Sequence, residues 1–379
     1  MYHASITLNT HDGIAMKERV NLEYLNLYQE IPIFCALALR NLFRKKESQE
    51  VRGVLIVNTC LIGEFAASLP AIRDYMQRNK SVAVDLMVSP PLNSLAERVR
   101  GVRSVYTAKS LYGRRIEDVE TSSQRLPSYE TVIVMRASKD ALQSVSMIAA
   151  GEIRTSLLLY GRYALHLLVS VLRRRAPKQW REMNFEMLGG KIRDISFEEI
   201  FEFTQSDYDS IAHLDELQTS QKKIVIHTGS SWPMKKWNND NWVAFLREAH
   251  DIGNARFIFV GGSDDLSDYA CIASRLDFPV YSLIGRIDLM QLMLVLRASD
   301  YFIGIDSGPR NMAHLADVRS ISILGPGPHF YMPPNGKDIV IDKSNGRGLF
   351  QMFFARRKGF IHQITPVEVY EALKKLWNS

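Results

Sequence analysis

Cysteine is scarce in this chain: three in 379 residues, Cys35, Cys60 and Cys271, with no Cys-x-x-Cys pair. Neither a disulfide framework nor a thiolate metal site is indicated, and a reducing cytoplasm is the expected compartment. Long apolar runs are missing too. The longest, such as IPIFCALAL at 31–39, fall short of the ~20 residues that a membrane helix needs. The opening MYHASITLNTHDGIAMKERV lacks the basic-then-apolar order of a signal peptide. The expectation is a cytoplasmic protein, soluble or peripheral at the inner membrane. Charge of one sign is only mildly in excess, at net +6 from 47 Lys+Arg against 41 Asp+Glu. That balance suits an anionic ligand or a phospholipid surface and is too diffuse to argue for nucleic acid.

What is present is an ordinary globular composition, 46% hydrophobic and 23% charged, able to bury substantial cores. At ~100–200 residues per domain the length suggests two domains. From residue 53 the pattern is strand, glycine turn, helix, repeated. GVLIVN (53–58) is an unbroken apolar run of the kind buried on both faces of a parallel sheet. A helix over 64–78 follows, then strands at 82–88, 102–107 and 131–135, and helices over 139–150 and 161–174. A second series begins at KIVIHTG (223–229), with strands at 256–262, 279–285, 301–306 and 320–326. Its helices are expected over 240–251, 265–275, 288–298 and 309–316.

The expected organisation is therefore an α/β chain of two similar wound units. Residues 1–50 form a helical extension, 51–205 the first unit, 206–222 a linker, and 223–364 the second unit. Residues 365–379 form a final helix packing back on the first unit, opened by the cap Thr365-Pro366 with Glu368. Two stretches end in basic clusters, NLEYLNLYQEIPIFCALALRNLFRKK at 21–46 and LLLYGRYALHLLVSVLRRR at 157–175. A packed helix and contact with an anionic membrane both fit each of them.

Three loops at strand ends carry the chemistry. In NTCLIGEFAASLPAI (58–72), Gly63 permits a tight turn and Glu64 sits at a helix start. A carboxylate there is favoured by the helix dipole and can serve as general base on an acceptor hydroxyl. In TGSSWPMKKW (228–237), Thr228, Gly229, Ser230 and Ser231 supply small residues and backbone N–H groups before Lys235 and Lys236. Lysine meets phosphate oxygens as a compact point charge, and Trp237 and Trp242 anchor the turn. In GIDSGPRNMAHLA (304–316), Asp306 ends a strand, and Ser307, Gly308 and Pro309 open a helix whose first N–H groups form an anion site. VGGSDDLSDYA (260–270) adds Asp264 and Asp265 after a double glycine, in position for ribose hydroxyls. Two adjacent lysines are more often solvated charge, and Glu64 alone could be a helix-end charge. The order of the loops outweighs each reading taken singly.

Taken together, these stretches resemble glycosyltransferase family 9, the bacterial heptosyltransferase family, over roughly residues 53–375. LIGEFAASLPAI looks like its L-G-D turn and following helix, with Glu64 in place of aspartate. HTGSSWPMKKW is similar to H-P-G-A-S-W-P-x-K-R-W, GIDSGPRNMAHLA to N-D-S-G-P-x-H-x-A-A, and GRIDL (285–289) to an intervening G-K-T-S-L segment. The resemblance implies a GT-B fold, two facing Rossmann-like domains with an interdomain cleft. It further implies inverting transfer without a metal or other cofactor, from a nucleotide sugar, typically ADP-heptose, to a glycan, lipid-linked or protein acceptor. By that likeness Glu64 stands at the catalytic aspartate, Lys236 at the diphosphate lysine, and Asp264 at the ribose contact. Gly285, Arg286, Asp306, Ser307, Gly308, Pro309 and Asn311 belong to the nucleotide-sugar site, and Gly63 to the acceptor side.

Three departures stand out: Glu64 is longer than aspartate, Asn311 replaces the motif's histidine, and about fifty residues precede the pattern. Arg310, beside Asn311, is a candidate to supply the charge that Asn311 lacks. The leading expectation is heptosyl transfer in lipopolysaccharide core assembly. Alternatives are another donor, a protein or metabolite acceptor, a GT-B epimerase, or a non-catalytic nucleotide-sugar binding protein.

Overall fold

A computed structural model describes residues 53–108, 127–135, 145, 148, 150–155, 180–230, 232–325, 336–343 and 360–378. The extension at 1–50, most of the helix expected over 139–150 and all of that over 161–174 lie outside the described residues, as does Ser231.

The first sheet has five strands: β1 (Val54–Asn58), β2 (Val84–Val88), β3 (Val102–Thr107), β4 (Tyr129–Val134) and β5 (Ala150–Thr155). Their order is β3-β2-β1-β4-β5, all parallel. The apolar runs go to the middle. β1 and β2 are buried throughout, because helices cover both faces of a parallel sheet. AGEIRT (150–155) was not legible as a strand; it lies at the sheet edge, where polar residues are tolerated. Helix α1 (Ile62–Arg78) follows β1, the short α2 (Asn93–Ala96) follows β2, and α3 (Trp180–Met187) packs on α1.

Six strands make the second sheet: β6 (Lys222–His227), β7 (Ala255–Phe259), β8 (Tyr281–Ser282), β9 (Tyr301–Ile305), β10 (Arg319–Leu324) and β11 (Asp338–Asp342). They run parallel in the order β11-β10-β9-β6-β7-β8. Helices α6 (Asn239–His250), α7 (Leu266–Ala273), α8 (Leu289–Arg297), α9 (Gly308–Leu315) and α10 (Pro366–Trp377) complete this unit. In both sheets the order reverses beside the first strand of the unit, β1 or β6. Loops leaving the carboxyl ends of the strands diverge at such a point and open a crevice.

One continuous core joins the units. It runs from Phe65, Leu69 and Ile72 of α1 through Met293, Leu296, Met312 and Ala313 to Val225, Ile258 and Phe302 of the second sheet. The other face of that sheet packs Trp237, Trp242 and Phe245 against Val369, Leu373 and Leu376. The final helix α10 therefore lies on α6, β10 and β11 of the second unit, contrary to the expectation that it returns to the first. Its apolar stripe faces this second core, and Trp377 stacks on Tyr301 with centroids 5.7 Å apart.

Residues 206–222 are not a bare linker. Capping boxes at Ser196 and Thr204 open α4 (Phe197–Ile200) and α5 (Gln205–Ala212). Arg98 holds Asp207 through two 2.7 Å bonds, fixing α5 to the first unit. From the second unit, Arg297 donates to Glu198 (2.7 Å) and Gln291 to Ser210 O (3.3 Å). The segment is a strut tied at both sides. Among the described residues no helix is long and apolar enough to cross a membrane.

Candidate functional site

The loops after β1, β6 and β9 converge where the sheet orders reverse. The close approach is made by glycine. A Cβ on Gly63 would lie 2.6 Å from Asn311 Nδ2, and one on Gly308 would lie 2.9 Å from Cβ and Cγ2 of Ile62. The first turns of α1 and α9 thus meet at a distance only hydrogen side chains allow.

Glu64 is 6% exposed. Successive helix residues point about 100° apart, so with Gly63 against α9, Glu64 turns toward α3. It lines a small pocket with Asn58, Cys60, Ser68, Met135, Trp180 and Asn184. The pocket wall is itself tied: Cys60 Sγ donates to Asn58 Oδ1 (2.6 Å), and Asn58 Nδ2 donates to Ser68 Oγ (2.6 Å). All the lining residues belong to the first unit.

The two lysines part company. Lys235 Nζ donates to Asp306 Oδ2 at 2.6 Å and lies 5.5 Å from the Trp232 ring centroid. Lys236 Nζ turns away to Asp268 Oδ2 on α7 at 2.7 Å, where Asn239 also donates to that carboxylate (3.3 Å). Of the pair, Lys235 is the one that reaches the turn opening α9, whereas the resemblance assigns the diphosphate role to Lys236. The 3₁₀ turn Pro233–Lys235 sets this divergence. Trp237 and Trp242 behave as anchors: their rings meet edge to face at 5.0 Å, and Trp237 Nε1 donates to Ile364 O at 2.9 Å.

At the start of α9, Ser307 occupies the cap with no side-chain cap bond. Pro309 sits in the first turn, where a missing N–H costs little, and the N–H groups of Gly308 and Arg310 precede the helix's own ladder. An anion is favoured there. Asn311 is 4% exposed, and its Oδ1 has no hydrogen-bond partner among the described residues. Arg310 does not stand in for the motif's histidine. It is buried, donating to Ser322 Oγ (2.6 Å) and Asp338 Oδ2 (3.1 Å), where His314 also reaches Asp338 (2.9 Å).

Thr228 is buried, as is His227 before it, and Ser230 Oγ accepts the Trp232 N–H at 3.1 Å. Gly285, at φ +68°, docks on the double-glycine turn by donating to Gly261 O at 3.0 Å. Arg286 leaves the site for the Glu216 carboxylate and Ser282 O. In the acidic pair, Asp264 is exposed at the rim while Asp265 turns inward, its carboxylate filling the space beside Gly229 and Gly261. Sequence reasoning singled out neither Asp265 for that role nor His227, whose Nδ1 lies 3.0 Å from Ser307 Oγ. The histidine at the end of an otherwise apolar strand was the available signal. Among the described residues no three His, Cys, Asp or Glu side chains gather as a metal site.

Comparison with known proteins bears on this arrangement. Residues 125–347 match the family model of glycosyltransferase family 9 (heptosyltransferase). Lipopolysaccharide heptosyltransferase 3 of Escherichia coli is 24% identical over 131 residues, 34% of this chain and 38% of that protein, so the match spans under half of the relative. Among solved structures, E. coli ADP-heptose LPS heptosyltransferase II superposes with a TM-score of 0.63 at 16% identity, covering 86% of this chain and 98% of that one. The E. coli heptosyltransferase WaaC with ADP gives 0.61 at 17% identity, covering 85% and 99%. A family 9 glycosyltransferase from Veillonella parvula gives 0.62 at 15%, covering 89% and 100%. At such identities these structures establish the shared two-domain GT-B fold.

Proposed function

Because the chain belongs to glycosyltransferase family 9, the heptosyltransferase family, we propose that it transfers heptose from ADP-heptose to a hydroxyl of the lipopolysaccharide core, with inversion. One observation carries the reading: the first turns of α1 and α9 pack face to face at two switch points. One turn bears a carboxylate, and the other an anion cradle served by a lysine. The donor and acceptor classes rest on the relatives, which include a lipopolysaccharide heptosyltransferase and a structure with ADP bound.

In this proposal the diphosphate lies on the N–H groups opening α9 and draws Lys235 into contact. Asp264 at the rim takes the ribose hydroxyls, and Asn311 and Asp306 meet the sugar. The acceptor enters beside Leu61, which is 53% exposed next to the Glu64 turn. Glu64 takes the acceptor proton as the hydroxyl oxygen attacks the anomeric carbon. The bond to the diphosphate breaks with its electron pair going to the phosphate, and ADP leaves. Lys235 and the helix start stabilise the charge that grows on the departing group. These positive groups serve the diphosphate without a metal.

The test is ADP release from ADP-heptose in the presence of deacylated core lipopolysaccharide. Glu64→Gln keeps shape and removes the base, so turnover should fall by about 10²-fold or more while ADP affinity holds. Turnover at the parental rate would remove Glu64 from the mechanism. A preference for UDP- or GDP-sugars would reassign the donor.

A further inference from the structure

Three polar side chains stand in line beyond the ends of β6, β7 and β9, and the proposed chemistry uses none of them. The Asp265 carboxylate lies 3.7 Å from His227 Nε2. On its other side the same ring presents Nδ1 to Ser307 Oγ at 3.0 Å. Ser307, the residue that opens α9, can alternatively donate to Ile305 O at 3.1 Å. The chain is built in: a Cβ on Gly229 or Gly261 would overlap the Asp265 carboxylate, and the Gly262 N–H donates to it at 3.1 Å. Burial pushes the Asp265 carboxyl up, but the nearby His227 ring and the Gly262 N–H outweigh it and hold the carboxyl below the usual range.

A proton inventory shows what the line can do. Ser307 has one hydroxyl hydrogen. Asp265 is the charge that faces Nε2, and a proton on that nitrogen is the one it attracts. If Nδ1 is bare, it takes the Ser307 hydrogen, and the hydroxyl turns its lone pairs toward the start of α9. If Nδ1 also carries a proton, Ser307 Oγ accepts that bond and its own hydrogen is released. It can then point at Ile305 O or at an anion on the helix N-terminus. Other charges lie nearby. Lys235 and Asp306 are paired at 2.6 Å, Lys236 is paired with Asp268, and Asp264 is exposed.

We propose that Asp265 holds His227 as imidazolium when a nucleoside diphosphate binds, turning Ser307 from a donor to histidine into a donor to the bound phosphate. Asp265 and His227 are then positioning residues acting through Ser307. This rests on the anion site proposed above at α9. The proton comes from solvent, and it ends on the ring.

Calorimetric titration with ADP tests the relay in the wild type, Asp265→Asn, Ser307→Ala and the double variant. The amide oxygen introduced by Asp265→Asn still accepts from the Gly262 N–H, so melting temperatures should agree within a few degrees. Each single change should weaken ADP binding about tenfold, the scale of one charge-assisted bond. The double change should lose no more than either single one, because both remove the same donor. A double loss near a hundredfold, or an unaffected Asp265→Asn, overturns the relay. Nitrogen-15 spectra of the His227 ring in the wild type give a check that needs no variant. Both nitrogens should be protonated with ADP bound, and a bare Nδ1 in that complex refutes the proposal. Failure of the wild type to bind either ADP or inorganic pyrophosphate would instead defeat the anion site, and this proposal with it.

Discussion

Replacing Lys235 and Lys236 separately with alanine is the sharpest test of how the site is charged. The Lys235 side chain is 16% exposed against an Asp306 side chain at 9%, whereas Lys236 and Asp268 are 35% and 22% exposed. A unit charge about 4 Å from a phosphate oxygen, at an effective dielectric of about 20, interacts by about 4 kcal/mol. Drawing Lys235 partly away from Asp306 offsets some of that, leaving about 1.5–3 kcal/mol, as for other bonds to charged groups. Lys235→Ala should therefore weaken ADP binding by about 10- to 150-fold. Lys236→Ala breaks a surface pair worth about 0–1 kcal/mol and should change the Kd by less than about fivefold. Isothermal titration with ADP at fixed ionic strength measures both, and raising the salt should weaken the wild type more than Lys235→Ala. If Lys236→Ala loses more affinity than Lys235→Ala, the geometric assignment is wrong and the diphosphate lies on the α7 side.

Two further outcomes follow from the packing. Gly308→Ala would push a Cβ to 2.9 Å from two Ile62 carbons, so the first turns of α1 and α9 must separate. A stability loss of about 1–3 kcal/mol is expected in chemical denaturation, together with lower turnover, and wild-type values for both would refute the tight junction. The buried Arg310–Asp338–His314 cluster makes the protein acid-sensitive. Burial is the main reason that the His314 ring titrates below its usual range, opposed by its bond to Asp338. For Asp338 burial pushes up, but the His314 bond and the Arg310 charge prevail and hold it low. Both groups bind protons more readily when unfolded. Stability should therefore fall as pH drops below about 6.5, where unfolded histidine begins to charge, and further through the carboxylate range. Melting curves from pH 7 to 5 should be flatter for His314→Gln than for the wild type, and parallel curves would exclude the histidine as a cause.

Much of this was legible in the residues. Unbroken apolar runs such as VLIVN and YFIGI fix central parallel strands, because such segments are insoluble unless covered on both faces. Loops with glycine and polar residues at their carboxyl ends marked the side on which the crevice opens. The elements that escaped notice have weak patterns: an edge strand with a charged face at 150–155, and short capped helices between the units. Their positions depend on partners far along the chain, such as Arg98 for Asp207, which no local window contains.

By itself the sequence determined the two wound units, the ordering of the three loops, and the kinds of group they bring: carboxylate, lysines, helix N-termini. These follow from periodicity and turn chemistry, which act within about a dozen residues. Tertiary structure alone decided direction. A single step along a turn sends Lys235 to Asp306 and Lys236 to Asp268, and a step along a helix sets Gly63 against Asn311 while Glu64 enters its own pocket. Neighbouring residues differ in heading by a rotation about the local axis, and what each meets is fixed only when the two units pack.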